Sequence, residues 1–173
     1  MKEVLKALAG YNRDANRSLI GILRGADPAV LAEDQGVYYK SIVGTLEHIE
    51  LAQLGWLRRF AGFFPTRSLS AHRLIKEDLD SIKASFAGKP QALYDLIAES
   101  DTLMADFVAE ADAADFPKRV SYTNYKGIVV ERPYWNFIFH VLNHATHHRG
   151  EISALLDRKG IANDIAGFNA YTA

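Results

Sequence analysis

Four of the six histidines in the chain fall within nine consecutive positions, His140 to His148. The stretch HVLNHATHHRGE, residues 140–151, lies among apolar residues at Trp135, Ile138, Phe139, Leu142, Ala145, Ile152, Leu155 and Leu156. That spacing is the period of an amphipathic helix. In a helix, positions i and i+4 share a face one turn apart, so His144 and His148 can turn two imidazoles toward one point. Helical zinc motifs pair histidines in this way. Spacing alone leaves three pairs open: His140/His144, His144/His147 and His144/His148. A mononuclear site needs at least a third protein ligand. With no cysteine in the chain, that ligand has to be His, carboxylate or backbone.

At 173 residues the chain is long enough for one self-sufficient core, and the expectation is a single domain over residues 1–173. The formal net charge is −1, with no long run of one sign, which argues against binding nucleic acid or an anionic membrane surface. The start, MKEVLKAL, alternates charged and apolar residues and does not resemble a secretory signal. No window approaches the ~20 apolar residues of a membrane span. A cytoplasmic protein acting on a small molecule is the expectation.

Residues 3–24 carry a helical stripe of Leu5, Leu8, Ala9, Ala15, Leu19, Ile20, Ile22 and Leu23, closed by Gly25 and Pro28. Asp34-Gln35-Gly36 reads as a turn. A second helix is predicted from about Tyr38 to Phe60, with His48 on a face shared with Thr45, Leu51, Ala52 and Gly55. Residues 62–71 read as irregular, and 71–86 as a short helix. Pro90 suits the first turn of a third long helix. Between Phe116 and Arg132 the period changes to β-branched arms, Val120–Thr123 and Ile128–Val130, around Asn124-Tyr125-Lys126-Gly127, which is a hairpin pattern. Pro133 opens the last long helix, which stops at Gly160.

Four long amphipathic helices with one small hairpin make an all-α helix bundle. Bundles build metal sites from side chains on facing helices. His48 from the second long helix, with His144 and His148 from the fourth, would supply three imidazoles and leave a position open, the pattern of catalytic zinc sites. The same donors suit nickel, cobalt or iron.

Four stretches resemble the DinB-like (YfiT-type) family of metal-dependent enzymes. They are Tyr11–Asn16, the segment Ser41–His48, the hairpin Tyr122–Gly127, and Asn143–Gly150, the most recognisable of the four. Together they span nearly the whole chain. The resemblance implies a four-helix bundle in up-down-down-up order, commonly a homodimer, with His48, His144 and His148 as metal ligands and water completing the shell. One departure is Glu151, where the family often has Gln after Arg-Gly. Glu151 reads as a surface carboxylate first, with an orienting role on a ligand imidazole or a role as base as alternatives. His140 and His147 read as non-ligands, and His72 as an unsuitable fourth ligand. Arg149 reads as a structural contact, Gly150 as a point of close helix approach, and Trp56 and Trp135 as core.

The resemblance implies two chemistries and a third, non-catalytic role. In the first, a divalent ion, zinc or nickel, holds a low-molecular-weight thiol for attack on an electrophile, as in relatives that use bacillithiol or mycothiol. In the second, metal-bound hydroxide hydrolyses an amide or ester. No base adjoins the ligands as clearly as in an HExxH motif, which favours thiol transfer. The third is a metal-binding stress-response protein without turnover.

Overall fold

The computed structural model describes residues 1–165 and 167–171. Its frame is four long helices: α1 (Lys2–Arg24), α3 (Ile42–Phe63), α7 (Pro90–Glu110) and α8 (Tyr134–Arg158). Short helices fill the connections: α2 (Pro28–Ala32), α4 (Arg67–Ala71), α5 (Arg73–Lys76) and α6 (Leu79–Phe86). Helix α1 packs on α7 and α8, and α3 packs on the same two. One cluster of buried aliphatic and aromatic side chains, among them Leu19, Leu46, Phe60, Leu93, Phe107, Tyr134 and Ile152, joins them. Among the described residues, no helix is long and apolar enough to cross a membrane.

The hairpin forms where the period changes. Strand β1 (Arg119–Thr123) pairs antiparallel with β2 (Val129–Pro133), Thr123 opposite Val129. Asn124 Oδ1 accepts from the backbone N–H groups of Lys126 and Ile128, and Gly127 takes a positive φ of 74° that a side chain would disfavour. Tyr122 packs against Trp56 and Phe137, which fastens the hairpin to α3 and α8.

Four expectations shift. Helix α3 starts at Ile42, not near Tyr38, because Ser41 caps it by accepting from Gly44 N–H and Lys40 before it sits at φ 68°, outside the helical region. Residues 71–86 hold two helices instead of one, since Asp78 caps a new start by accepting from Ser81 N–H. Residues 67–71, read as irregular, form α4 behind a Thr66 cap. Gly150 is not a point of close approach: a Cβ added there meets nothing within 4 Å, and the residue is exposed.

A layer of polar side chains crosses this apolar core. Asn12 and Asn16 from α1, Glu50 and Gln53 from α3, Ser100 and Asp101 from α7, and Arg149 from α8 are each no more than 2% exposed. Arg149 donates to Asn12 Oδ1 (2.6 Å) and Asn16 Oδ1 (3.0 Å). The two amide groups in turn donate to Asp101, Asn12 to Oδ1 at 3.0 Å and Asn16 to Oδ2 at 2.8 Å. Gln53 donates to Asp101 Oδ1 (2.8 Å) and to Ser100 Oγ (3.0 Å), and Ser100 donates to Glu50 Oε2 (2.7 Å). Burial raises the Asp101 carboxyl to about 6 against the pull of its amide donors and Arg149. Burial also holds Glu50 well above the ordinary carboxylate range.

Two outcomes are expected. Glu50 has a folded pKa above its unfolded one, so its contribution is complete at low pH and is lost as pH rises through the folded value. Glu50→Gln, which mimics the neutral acid, removes that loss. Urea unfolding across pH should show wild type weakening relative to the variant as pH rises, and a constant difference would refute the assignment. Gly150→Ala, with open space around it, should stabilise by about 0.5–1 kcal/mol through helix propensity, read as a raised denaturation midpoint.

Candidate metal centre

Helix α8 turns His144 and His148 to one face, and α3 brings His48 against them. His144 Nε2 lies 3.0 Å from His48 Nε2 and 3.1 Å from His148 Nε2. Ring nitrogens of all three lie within 4.8 Å of one another. Burial, followed by the neighbouring imidazoles, lowers His144 to about 4. Burial and His148 lower His48 as well, with Glu151 opposing. The His144 and His48 rings are therefore neutral near pH 7 and can present lone pairs, which metal ligation requires. Tetrahedral zinc with bonds of ~2.0–2.1 Å separates its nitrogens by about 3.3 Å, so the His48–His144 and His144–His148 spacings need only slight widening. The donor set fits a divalent ion.

Glu151 fixes one of these rings. Its Oε2 accepts from His148 Nδ1 at 2.7 Å, and its Oε1 lies 3.0 Å from His147 Nε2. Desolvation raises the carboxyl, but the hydrogen bonds and charges of His148 and His147 outweigh it and hold the group below its ordinary value. An ionised carboxylate only accepts, so His148 Nδ1 donates to it and Nε2 is the ring nitrogen turned toward the cluster. Of the roles open to Glu151 from sequence, the structure shows the orienting contact. His147, Glu151 and His148 also form a second acidic-histidine group, with His147 exposed.

The other histidines stand apart. The His140 ring lies 5.8 Å from Trp56 and 5.9 Å from His144, one turn from the cluster. His72 caps α5 by accepting from Leu74 N–H and faces Glu99. Trp56 is buried on Phe137, and Trp135 is partly buried. Arg149, next to His148 in sequence, points away into the buried polar layer.

Sequence reasoning missed Tyr39. Its hydroxyl lies 2.8 Å from His48 Nε2, and its ring stacks on the His48 ring at 3.9 Å and 15°. Burial, followed by Tyr38 and Glu151, raises its pKa, so the phenol is protonated and able to donate. A short strap holds it there: Val37 and Lys40 form a bridge, and Ser41 N–H donates to Tyr39 O. Gly44 makes room, since a Cβ there would lie 2.1 Å from Tyr39 O. The signal was the aromatic pair Tyr38-Tyr39 upstream of Ser41, masked by the apolar period that seemed to extend the helix over it.

A cavity of about 590 Å³ opens beside His148, bounded by the strap and the last turns of α8. Tyr39, His148 and Glu151 form its inner wall.

Comparison with known proteins places the chain. It belongs to the DinB family, whose model matches residues 1–172. It is 23% identical over 171 residues to protein DinB of Bacillus subtilis (strain 168), covering 99% of this chain and 95% of that protein. No solved structure gives a significant match.

Gly44→Ala should push the strap off His48. The expected result is a shift of the His48 ring resonances like that caused by Tyr39→Phe, with a loss of about 1–3 kcal/mol in stability from overpacking. Unchanged His48 resonances in Gly44→Ala would refute the close contact.

Proposed function

We propose that this member of the DinB family is a metal-dependent transferase that activates a low-molecular-weight thiol against electrophilic substrates. In this reading His48, His144 and His148 hold one divalent ion, zinc or nickel, with a fourth position facing the cavity. The convergence of three imidazole nitrogens, one ring held by Glu151, carries it. The frame is read as a four-helix bundle in up-down-down-up order, a single domain over residues 1–173. The packing of α1 and α3 each on both α7 and α8 supports that frame.

When bound, the ion supplies Lewis acidity and lowers the pKa of a coordinated thiol or water. The chain's own groups do the rest. Glu151 keeps the His148 Nδ1 proton in place and the ring aligned. Tyr39 covers His48 and, on releasing its hydrogen bond, frees that nitrogen to ligate. The strap and Leu155 wall the cavity from bulk water on one side. Thiol transfer is favoured over hydrolysis because both Glu151 oxygens already face His148 and His147. That leaves no free carboxylate among the described residues of the cluster to serve as base for water.

Elemental analysis of protein purified without chelators tests this. Near one metal per chain is expected in wild type and in His147→Ala, and near none in His48→Ala or His144→Ala. Glu151→Gln should weaken metal binding about 10–100-fold through loss of the orienting contact. Metal retained in His48→Ala would sink the triad.

A further inference from the structure

The cavity beside the histidine cluster carries a selectivity of its own. Its lining includes Val37, Tyr38, Thr45 and Leu155, and the order of residues along α8 sets the charged and imidazole groups of that helix toward two ends. At the inner end are His148 and Glu151, and the Glu151 oxygens are held by His148 and His147. At the outer end is Arg158. Its neighbours in the chain are engaged: Asp157 accepts from Asn163, and Lys159 pairs with Glu33 at 2.7 Å. The Arg158 guanidinium has no hydrogen-bond or ion-pair partner among the described residues. Residues 148, 151, 155 and 158 follow one another along one face of α8, so the cavity runs lengthwise between cluster and cation.

We infer that this cavity binds an elongated, largely apolar molecule with a single anionic head, such as a carboxylate. The head pairs with Arg158, and the other end lies against the histidine cluster. Arg158 lies ten positions beyond His148, about 15 Å along the helix axis, and both residues line the cavity. The gap left suits a medium-length chain. An unpaired guanidinium recognises a carboxylate through parallel N–H donors and disfavours a cation. The fixed negative charge of Glu151 at the inner end disfavours a second anionic group there. The cavity volume is in the range of small-molecule sites, ~300–1,000 Å³. This assignment of substrate class rests on the proposed function only in taking the cluster as the reacting end.

Calorimetric titration with octanoate, octanol and octylamine tests it, on wild type, Arg158→Leu and Arg158→Lys, each metal-stripped and zinc-loaded. Octanoate should bind wild type about fivefold tighter than octanol, with octylamine weakest, in both metal states. Arg158→Leu should abolish the difference without changing zinc content, and Arg158→Lys should keep part of it. A preference that appears only with zinc and survives Arg158→Leu would put the carboxylate on the metal, overturning this inference while leaving the triad standing. No binding of any probe would overturn it too. A protein that takes up no zinc yet keeps the Arg158-dependent preference would support the cavity's selectivity and defeat the metal reading.

Discussion

The structure depends on how two charges are buried at its centre. Arg149 and Asp101 are almost wholly removed from water and do not touch directly. Asn12 and Asn16 stand between them, each offering its carbonyl to the guanidinium and its amide nitrogen to the carboxylate. An isolated buried charge is costly, and breaking such a network by removing one partner typically costs about 3–5 kcal/mol. The arrangement works at one register only: slide α8 by a turn against α1, and Arg149 loses both acceptors. Apolar side chains tolerate such slips far better than directed hydrogen bonds do.

That register decides the site. Arg149 follows His148 directly, so the residue that locks α8 into the core also sets where the His148 ring emerges. Gln53, one turn and a little beyond His48, donates into the same network from α3. The two helices that carry the histidines are therefore tied to a common buried layer, and the nitrogen–nitrogen spacing of the cluster follows from it. The lowered pKa values of His144 and His48 have the same origin, since partial burial between packed helices disfavours their protonation.

The strap 37–40 adds what helices cannot. A helix running back through Tyr38 would carry Tyr39 away from His48. The Ser41 cap and the left-handed backbone at Lys40 fold the chain over instead. Gly44 lets the Tyr39 carbonyl come close, and the phenol settles on the imidazole. One glycine, one cap and one unusual backbone angle thus build the roof of the cavity.

Much of this was legible in the chain. Helical periods marked the four long helices, because burying one stripe demands apolar residues at that spacing. The change to β-branched alternation around Asn124–Gly127 marked the hairpin. The i, i+4 geometry of His144 and His148 is a local property of any helix, and so is the distinct direction of His147. Asn12 and Asn16 lie one turn apart on α1, yet nothing in α1 alone says that Arg149 and Asp101 meet there. Local spacing likewise left three histidine pairs open and left Glu151 on the surface. Tertiary packing chose among them, because only the register between α3 and α8 brings His48 to His144 and His148. Only the folded-back strap puts Tyr39 on the cluster. Sequence period records which face of an element is buried; which faces then meet is set by non-local hydrogen bonds and packing that no single stretch encodes.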